Sequence, residues 1–351
     1  MKRIAALTHL AQTPSSRFRV RSLIPGLLER GVEVTDMPRR YNTEMSAATF
    51  PDTRISRDPR KAALAAGYHA GDIGHSLSRV LRTRRYDGTW VSREIVIGHR
   101  SWEGLVGQPL YYDIDDAVFL RARALRTGID ALIRRATCVF AGNGFLADYC
   151  AQFCDTVHVV PTAVDTGRFR PAPSWRPEGP FTMLWSGTSS SFPYLEAIEP
   201  VLHAFLSTKP DARFRVCSNR YPEELTRLHE YIDYLPWSPE DEVAQMQDAD
   251  IGLMPIPDTD WARGKCSYKM LLYAACGVPC VVSAVGMNND VLEKGAVGVG
   301  CASPAEWRDA LEDAYSERDR LRTIFPDGPD VVRQHYSTES VCDRIAGVMR
   351  A

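Results

Sequence analysis

Six lysines stand against thirty-six arginines in this 351-residue chain, and two of the six, Lys265 and Lys269, lie four residues apart at the start of the apolar segment 264–279. A four-residue step puts two side chains on one face of a helix. The first turn of a helix adds unpaired N–H groups and the positive end of its dipole. Two ammonium groups placed there suit a diphosphate, and a solvated pair on a surface helix is the other reading that spacing alone allows. Nucleophilic or metal chemistry finds less to work with. The nine cysteines are odd in number and scattered, without a Cys-x-x-Cys pair, and read as reduced thiols. Cys150/Cys154 and Cys276/Cys280 lack histidines at zinc-binding distances, so no metal is expected. His9, His75, His99 and His158 fall in no Ser/His/Asp or Cys/His pattern.

The elements that must position the lysines are short apolar runs alternating with helical patterns. Strands are expected over 3–7, 33–37, 89–91, 109–112, 138–141 and 157–160, with helices between them at 22–29, before 85, at 125–135 and at 145–153. Such alternation means parallel strands with crossover helices. Four prolines in residues 170–180 break it, and it then resumes with strands over 181–185, 214–217, 251–254 and 279–283 and helices over 194–206, 243–247, 267–275 and 304–314. The expected organisation is a first domain over 1–168, a linker over 169–180, a second domain over 181–330, and a C-terminal helical segment over 331–351 that packs back across the hinge. Two doubly wound α/β domains in tandem would turn the C-terminal ends of their strands to a shared cleft.

Composition sets the bounds. At 44% hydrophobic and 25% charged the chain is an ordinary globular one, with length for two cores. No apolar run approaches the roughly 18 residues of a membrane span, and no signal peptide precedes the first strand, so a cytoplasmic protein is expected. Net charge is −2, but residues 1–165 are basic and the remainder acidic. The cluster Arg79, Arg82, Arg84 and Arg85 suits peripheral contact with anionic lipid or a phosphorylated acceptor, or else it is the solvated C-terminal end of a helix. Nucleic-acid binding is not expected, since no aromatic interleaving accompanies the arginines.

Two blocks of the chain resemble a known family. Residues 141–149, Ala-Gly-Asn-Gly-Phe-Leu-Ala-Asp-Tyr, followed by 157–171, Val-His-Val-Val-Pro-Thr-Ala-Val-Asp-Thr-Gly-Arg-Phe-Arg-Pro, look like the segment closing the first domain of retaining glycosyltransferases with the GT-B fold. Residues 248–255, the Gly-Lys-Cys-Ser-Tyr-Lys segment, residues 273–283 and Trp307 resemble the nucleotide-sugar-binding half of the bacterial "group 1", family 4-like transferases. The resemblance implies two Rossmann-like domains, a nucleoside diphosphate sugar as co-substrate on the second, and a glycan, glycolipid or small-molecule acceptor on the first. It also implies transfer with retention and without a metal cofactor. Cations and backbone N–H groups would then stabilise the charge that grows on the β-phosphate as the sugar leaves.

On that reading Lys265, Lys269 and Arg263 face the diphosphate, and Gly187, Thr188 and Ser189, after the first strand of the second domain, add amide and hydroxyl donors or form an ordinary turn. Relatives carry paired glutamates where this chain has Gly264 and Leu272. Asp258 or Asp260 would contact the ribose or sugar instead. Trp237 falls where relatives cradle the base, although a tryptophan is more often core. In the first domain Asp115 stands where relatives have a histidine and Asp116 where they have an aspartate; these carboxylates would accept sugar hydroxyls or assist acceptor deprotonation, or cap a helix. Arg17 and Arg19, in place of a common glycine pair, are expected at a helix start facing the cleft and suited to an anionic acceptor or a donor phosphate. The same residues leave two alternatives open: a non-enzymatic sugar-nucleotide-binding partner of another transferase, and a GT-B-fold epimerase or hydrolase.

Overall fold

The computed structural model describes residues 1–10, 13–39, 59–96, 102–120, 123–174 and 179–351. The chain forms two compact units, one of Met1–Ala163 with Val341–Ala351 and one of Val164–Ser340. Residues 175–178 of the proline-rich segment, and 11–12 of the first loop, lie outside the described residues; the rest of 169–180 belongs to the second unit.

The first unit is built on six parallel strands: β1 (Lys2–Thr8), β2 (Val32–Pro38), β3 (Gly88–Ser92), β4 (Leu110–Ile114), β5 (Cys138–Ala141) and β6 (Val157–Val159), in the order β2-β1-β3-β4-β5-β6. Strands β3, β4 and β5 are buried along their whole length, which explains their continuous apolar runs. The last helix, Thr338–Arg350, lays Val341, Cys342, Ile345, Ala346 and Met349 into the same core as Ile4, Leu27, Trp90 and Phe140.

The second unit has a sheet of the same kind, β7 (Phe181–Ser186), β8 (Ala212–Ser218), β9 (Ile232–Pro236), β10 (Ile251–Met254), β11 (Cys280–Ser283) and β12 (Gly298–Cys301), all parallel, in the order β12-β11-β10-β7-β8-β9. Renumbered from β7, that is the 3-2-1-4-5-6 order of a Rossmann sheet reversed, with its switch point between β7 and β10. Its core gathers Phe181, Met183, Trp185, Phe214, Leu253 and Trp307. β9 and β12, the two edge strands, are the ones that apolar patterning misses. β9 is only half-buried, and β12 reads Gly-Val-Gly-Cys. A side chain at Gly298 would overlap the Cys280 backbone across the sheet, so the residue that conceals the strand in sequence is the one that lets it pair.

No helix among the described residues is long and apolar enough to cross a membrane. The basic cluster does not act as one surface. Arg79 is buried, donating to the Met37 and Thr8 carbonyls, while Arg82, Arg84 and Arg85 are exposed.

Candidate functional site

At the switch point of the second sheet, β7 ends in Ser186 and Gly187. The Ser186 amide donates to the Tyr273 hydroxyl at 2.8 Å, and the Gly187 amide donates to the Cys217 carbonyl at 3.0 Å. Lys269 arrives here from the helix Tyr268–Ala275. Its ammonium sits 4.7 Å from the centre of the Trp185 ring, and a Cβ on Gly187 would lie 2.5 Å from Lys269 Cε and 2.8 Å from Nζ. Burial, with the charge of Lys265 adding to it, lowers the Lys269 pKa to about 8. An ammonium so poised gains from an anion, which would replace the hydration it has lost.

Lys265 does not share the first helical turn with Lys269, as their spacing suggested. The helix starts at Tyr268, and Lys265 lies in the preceding loop with its ammonium 4.9 Å from the Trp261 ring centre. The break between them is Ser267, whose backbone is left-handed at φ 48° and ψ 26°. The first intrahelical bond runs from Leu271 N to Ser267 O, so the N–H groups of Tyr268, Lys269 and Met270 have no carbonyl within the helix to bond.

Other expected donor contacts fall nearby with mixed results. Thr188 is exposed, its hydroxyl 2.8 Å from that of Ser190. The Ser189 amide is not available to a phosphate, because it donates to Asn219 Oδ1 at 2.8 Å. Asp258 pairs with Arg263 at 2.8 Å on the exposed face of the 255–267 loop, which holds the Asp258 carboxyl below its usual range. Asp260 opens the short helix Asp260–Arg263, which Thr259 caps. Trp237 follows β9, is 39% exposed, and donates its indole N–H to Glu242 at 3.1 Å, so it is a surface residue and not core. Sequence reasoning gave no site role to Trp185, Asn219 and Asn288, nor to Ser267, although Ser267 lies within the Gly-Lys-Cys-Ser-Tyr-Lys segment.

In the first unit the acidic end of β4 is matched with guanidinium groups. Asp113 and Arg19 form a buried bidentate pair, with both contacts at 3.0 Å, and Arg19 also donates to the Val160 carbonyl. Arg19 therefore ends its helix, Pro14–Arg19, committed to the protein interior and not at a helix start open to an acceptor. Arg17, two residues earlier, is exposed. Asp115 and Asp116 both meet Arg93, at 2.9 and 2.5 Å. Burial alone would raise the Asp115 carboxyl, but Arg93 and then Arg19 outweigh it and hold it below the usual range. Arg93 has a left-handed backbone at φ 64°, a strained conformation of the kind that gathers at functional sites. His9 donates from Nε2 to the Glu94 carbonyl at 3.2 Å, and burial lowers its pKa to about 4.

Comparison with known proteins bears on this geometry. Residues 187–317, from the glycine beneath Lys269 onward, match the family model of glycosyl transferases group 1. This protein is a glycosyltransferase with a group 1 domain in its second unit. The glycosyltransferase fold extends over the whole chain. HepE from Anabaena, solved with UDP-glucose, superposes with a TM-score of 0.69 at 14% identity, covering 100% of both chains. Sucrose-phosphate synthase from Thermosynechococcus elongatus gives 0.68 at 13% identity, covering 100% of this chain and 98% of the other. A glycosyltransferase from Rickettsia africae gives 0.70 at 11%, covering 99% and 98%. No curated protein matches the chain by sequence. At such identities these structures speak for the fold of the transferase and not for its substrates.

Proposed function

We propose that this glycosyltransferase moves a sugar from a nucleoside diphosphate sugar to the hydroxyl of a glycan, glycolipid or small-molecule acceptor, with retention at the anomeric carbon. The observation that carries the reading is the position of Lys269, an ammonium with a lowered pKa beside Gly187 at the switch point of the second sheet. Doubly wound sheets bind ligands at that point. The UDP-glucose in the HepE structure supports a donor of this class.

As the bond between the anomeric carbon and the β-phosphate oxygen breaks, negative charge grows on the diphosphate. Lys269, Lys265 and the first-turn N–H groups of the helix Tyr268–Ala275 are the preorganised positive groups that would stabilise it, which is the role a metal ion fills elsewhere. Arg263 and Asp258 border the same loop, with Asp258 or Asp260 turned to the donor sugar or ribose and Trp237 to the base. In the first unit Asp115, kept ionised by Arg93, and Asp116, paired with the same arginine, are assigned to acceptor hydroxyls, and Arg17 to an anionic group on the acceptor. A cytoplasmic enzyme touching the membrane through exposed Arg82, Arg84 and Arg85 fits a lipid-linked acceptor.

The test is thermal stabilisation by UDP, GDP, ADP, CDP and TDP, with and without chelator, followed by nucleoside diphosphate release from the matching sugar nucleotides. A ligand bound by the native state alone raises its melting temperature. One nucleotide should stabilise the protein with chelator present, and Lys265→Ala and Lys269→Ala should each weaken that effect and slow turnover. Binding without turnover on any sugar nucleotide would favour a non-enzymatic partner, and undiminished affinity in both variants would remove the phosphate assignment.

A further inference from the structure

The 255–267 loop, which carries Asp258, Asp260, Arg263 and Lys265, is clamped at both ends by the end of β11 and the start of the helix Met287–Leu292 that follows it. At its start, the Ile256 amide donates to the Ser283 hydroxyl at 2.9 Å. At its end, the Ser267 hydroxyl donates to Asn288 Oδ1 at 2.7 Å, and Asn288 Nδ2 in turn donates to the Ser283 carbonyl at 2.9 Å. Asn288 and Ser267 are both buried, the first completely. The turn between that strand and helix comes close to the loop's backbone: Gly286 has φ 54°, and a Cβ there would lie 3.0 Å from Arg263 Cα.

Two features of Ser267 are unusual together. It occupies the N-cap position of the helix Tyr268–Ala275, where a serine hydroxyl normally accepts a bond from the first turn, yet it makes no such bond. Its backbone is also left-handed, a conformation that a non-glycine residue holds only when its surroundings enforce it. The bond to Asn288 accounts for both. It turns the hydroxyl away from the helix and fixes the reversal that sets Lys265 in the loop and Lys269 on the helix.

We infer that Asn288 is a positioning residue for the diphosphate of the donor: by holding Ser267 in its left-handed, non-capping state, it presents Lys265, Lys269 and the first helical turn to the same anion. The inference rests on the donor-site reading above, and it deepens that reading by naming what holds the site open. Asn288 touches no ligand itself.

The experiment uses the full chain, titrated calorimetrically with UDP and, independently of the base, with inorganic pyrophosphate. Asn288→Ala should weaken both by about tenfold, within the range that supporting partners command at binding sites. Ser267→Gly tests the route, because glycine takes a positive φ without strain. Added to Asn288→Ala, it should restore most of the lost affinity, whereas a general loss of packing at position 288 would not be repaired by a glycine at 267. Ser267→Ala should weaken binding to the same extent as Asn288→Ala, and the two together no further. A wild-type chain that binds neither ligand overturns the donor-site reading itself. Wild-type binding that Asn288→Ala leaves unchanged, or a loss that Ser267→Gly fails to repair, overturns this inference alone.

Discussion

Lys269 lies across Gly187 so closely that any side chain at 187 would take the space of its terminal methylene, with Cβ 2.5 Å from Cε and 2.9 Å from the edge of the Trp185 ring. Gly187→Ala is therefore a way to move the ammonium without removing it. The lysine end can swing aside at little cost, while the buried indole resists. We expect a stability loss of about 1 kcal/mol and a roughly tenfold loss of nucleoside diphosphate affinity, equivalent to ~1.4 kcal/mol. Calorimetric titration beside a melting curve reads both, and a variant that binds UDP as the wild type does would mean that the ammonium is not where the phosphate goes.

The lowered pKa of Lys269 gives a second test, in which stability and binding move in opposite directions. Its folded pKa of about 8 lies below the ordinary 10.5, so between those values the unfolded chain binds more protons. Stability from this group accordingly rises with pH across that window, and the penalty is fully present below pH 8. Lys269→Met removes the penalty and keeps the contact with Trp185. It should stabilise the free protein at pH 7 by on the order of 1 kcal/mol, after allowance for solvent screening, while diphosphate affinity collapses. In the wild type, affinity should fall as pH rises through 8 to 9. A methionine variant less stable than wild type at pH 7 would contradict the burial argument.

Gly252, in the middle of β10, faces the ring of Tyr273 with no room for a methyl group. The ring cannot retreat: Tyr273 is fully buried and its hydroxyl accepts the Ser186 amide at the end of β7. Gly252→Ala should cost about 3 kcal/mol, at the upper end for overpacking, and displace Ser186 and Gly187 with it. Urea denaturation measures the first effect and UDP titration the second. A stable variant with intact binding would show that β7 is not held through Tyr273.

The parts of this chain that could be read in advance are those where burial dictates residue type. β7, β10 and β11 are covered on both faces, and Phe-Thr-Met-Leu-Trp-Ser, Ile-Gly-Leu-Met and Cys-Val-Val-Ser announce themselves as apolar runs. The edge strands β9 and β12 carry no such pressure. The site was legible in its residue types but not in its geometry. A left-handed serine, and not helical periodicity, sets the relation between Lys265 and Lys269, and the side chain that the serine bonds is 21 residues away. Arg19 looked like a free cation because its carboxylate, Asp113, is 94 residues distant and becomes its neighbour only once the sheet has formed.

That pair supplies the last prediction. Arg19 and Asp113 are 2% and 1% exposed, so removing one partner strands the other in the interior. Arg19→Met should cost roughly 3–5 kcal/mol at neutral pH. The cost should also depend on pH. Burial already raises the Asp113 carboxyl, with Arg19 opposing it, and without the arginine it rises further. A carboxyl whose folded pKa lies above its unfolded value carries a penalty that is complete above the folded pKa and disappears as pH falls toward the unfolded one, near 3.9. The stability gap between wild type and Arg19→Met should therefore narrow as pH is lowered from 8 to 5. Denaturant melts at the two pH values measure it, and an equal gap at both would mean that Asp113 finds another cation, so that the pair does not anchor the end of β4.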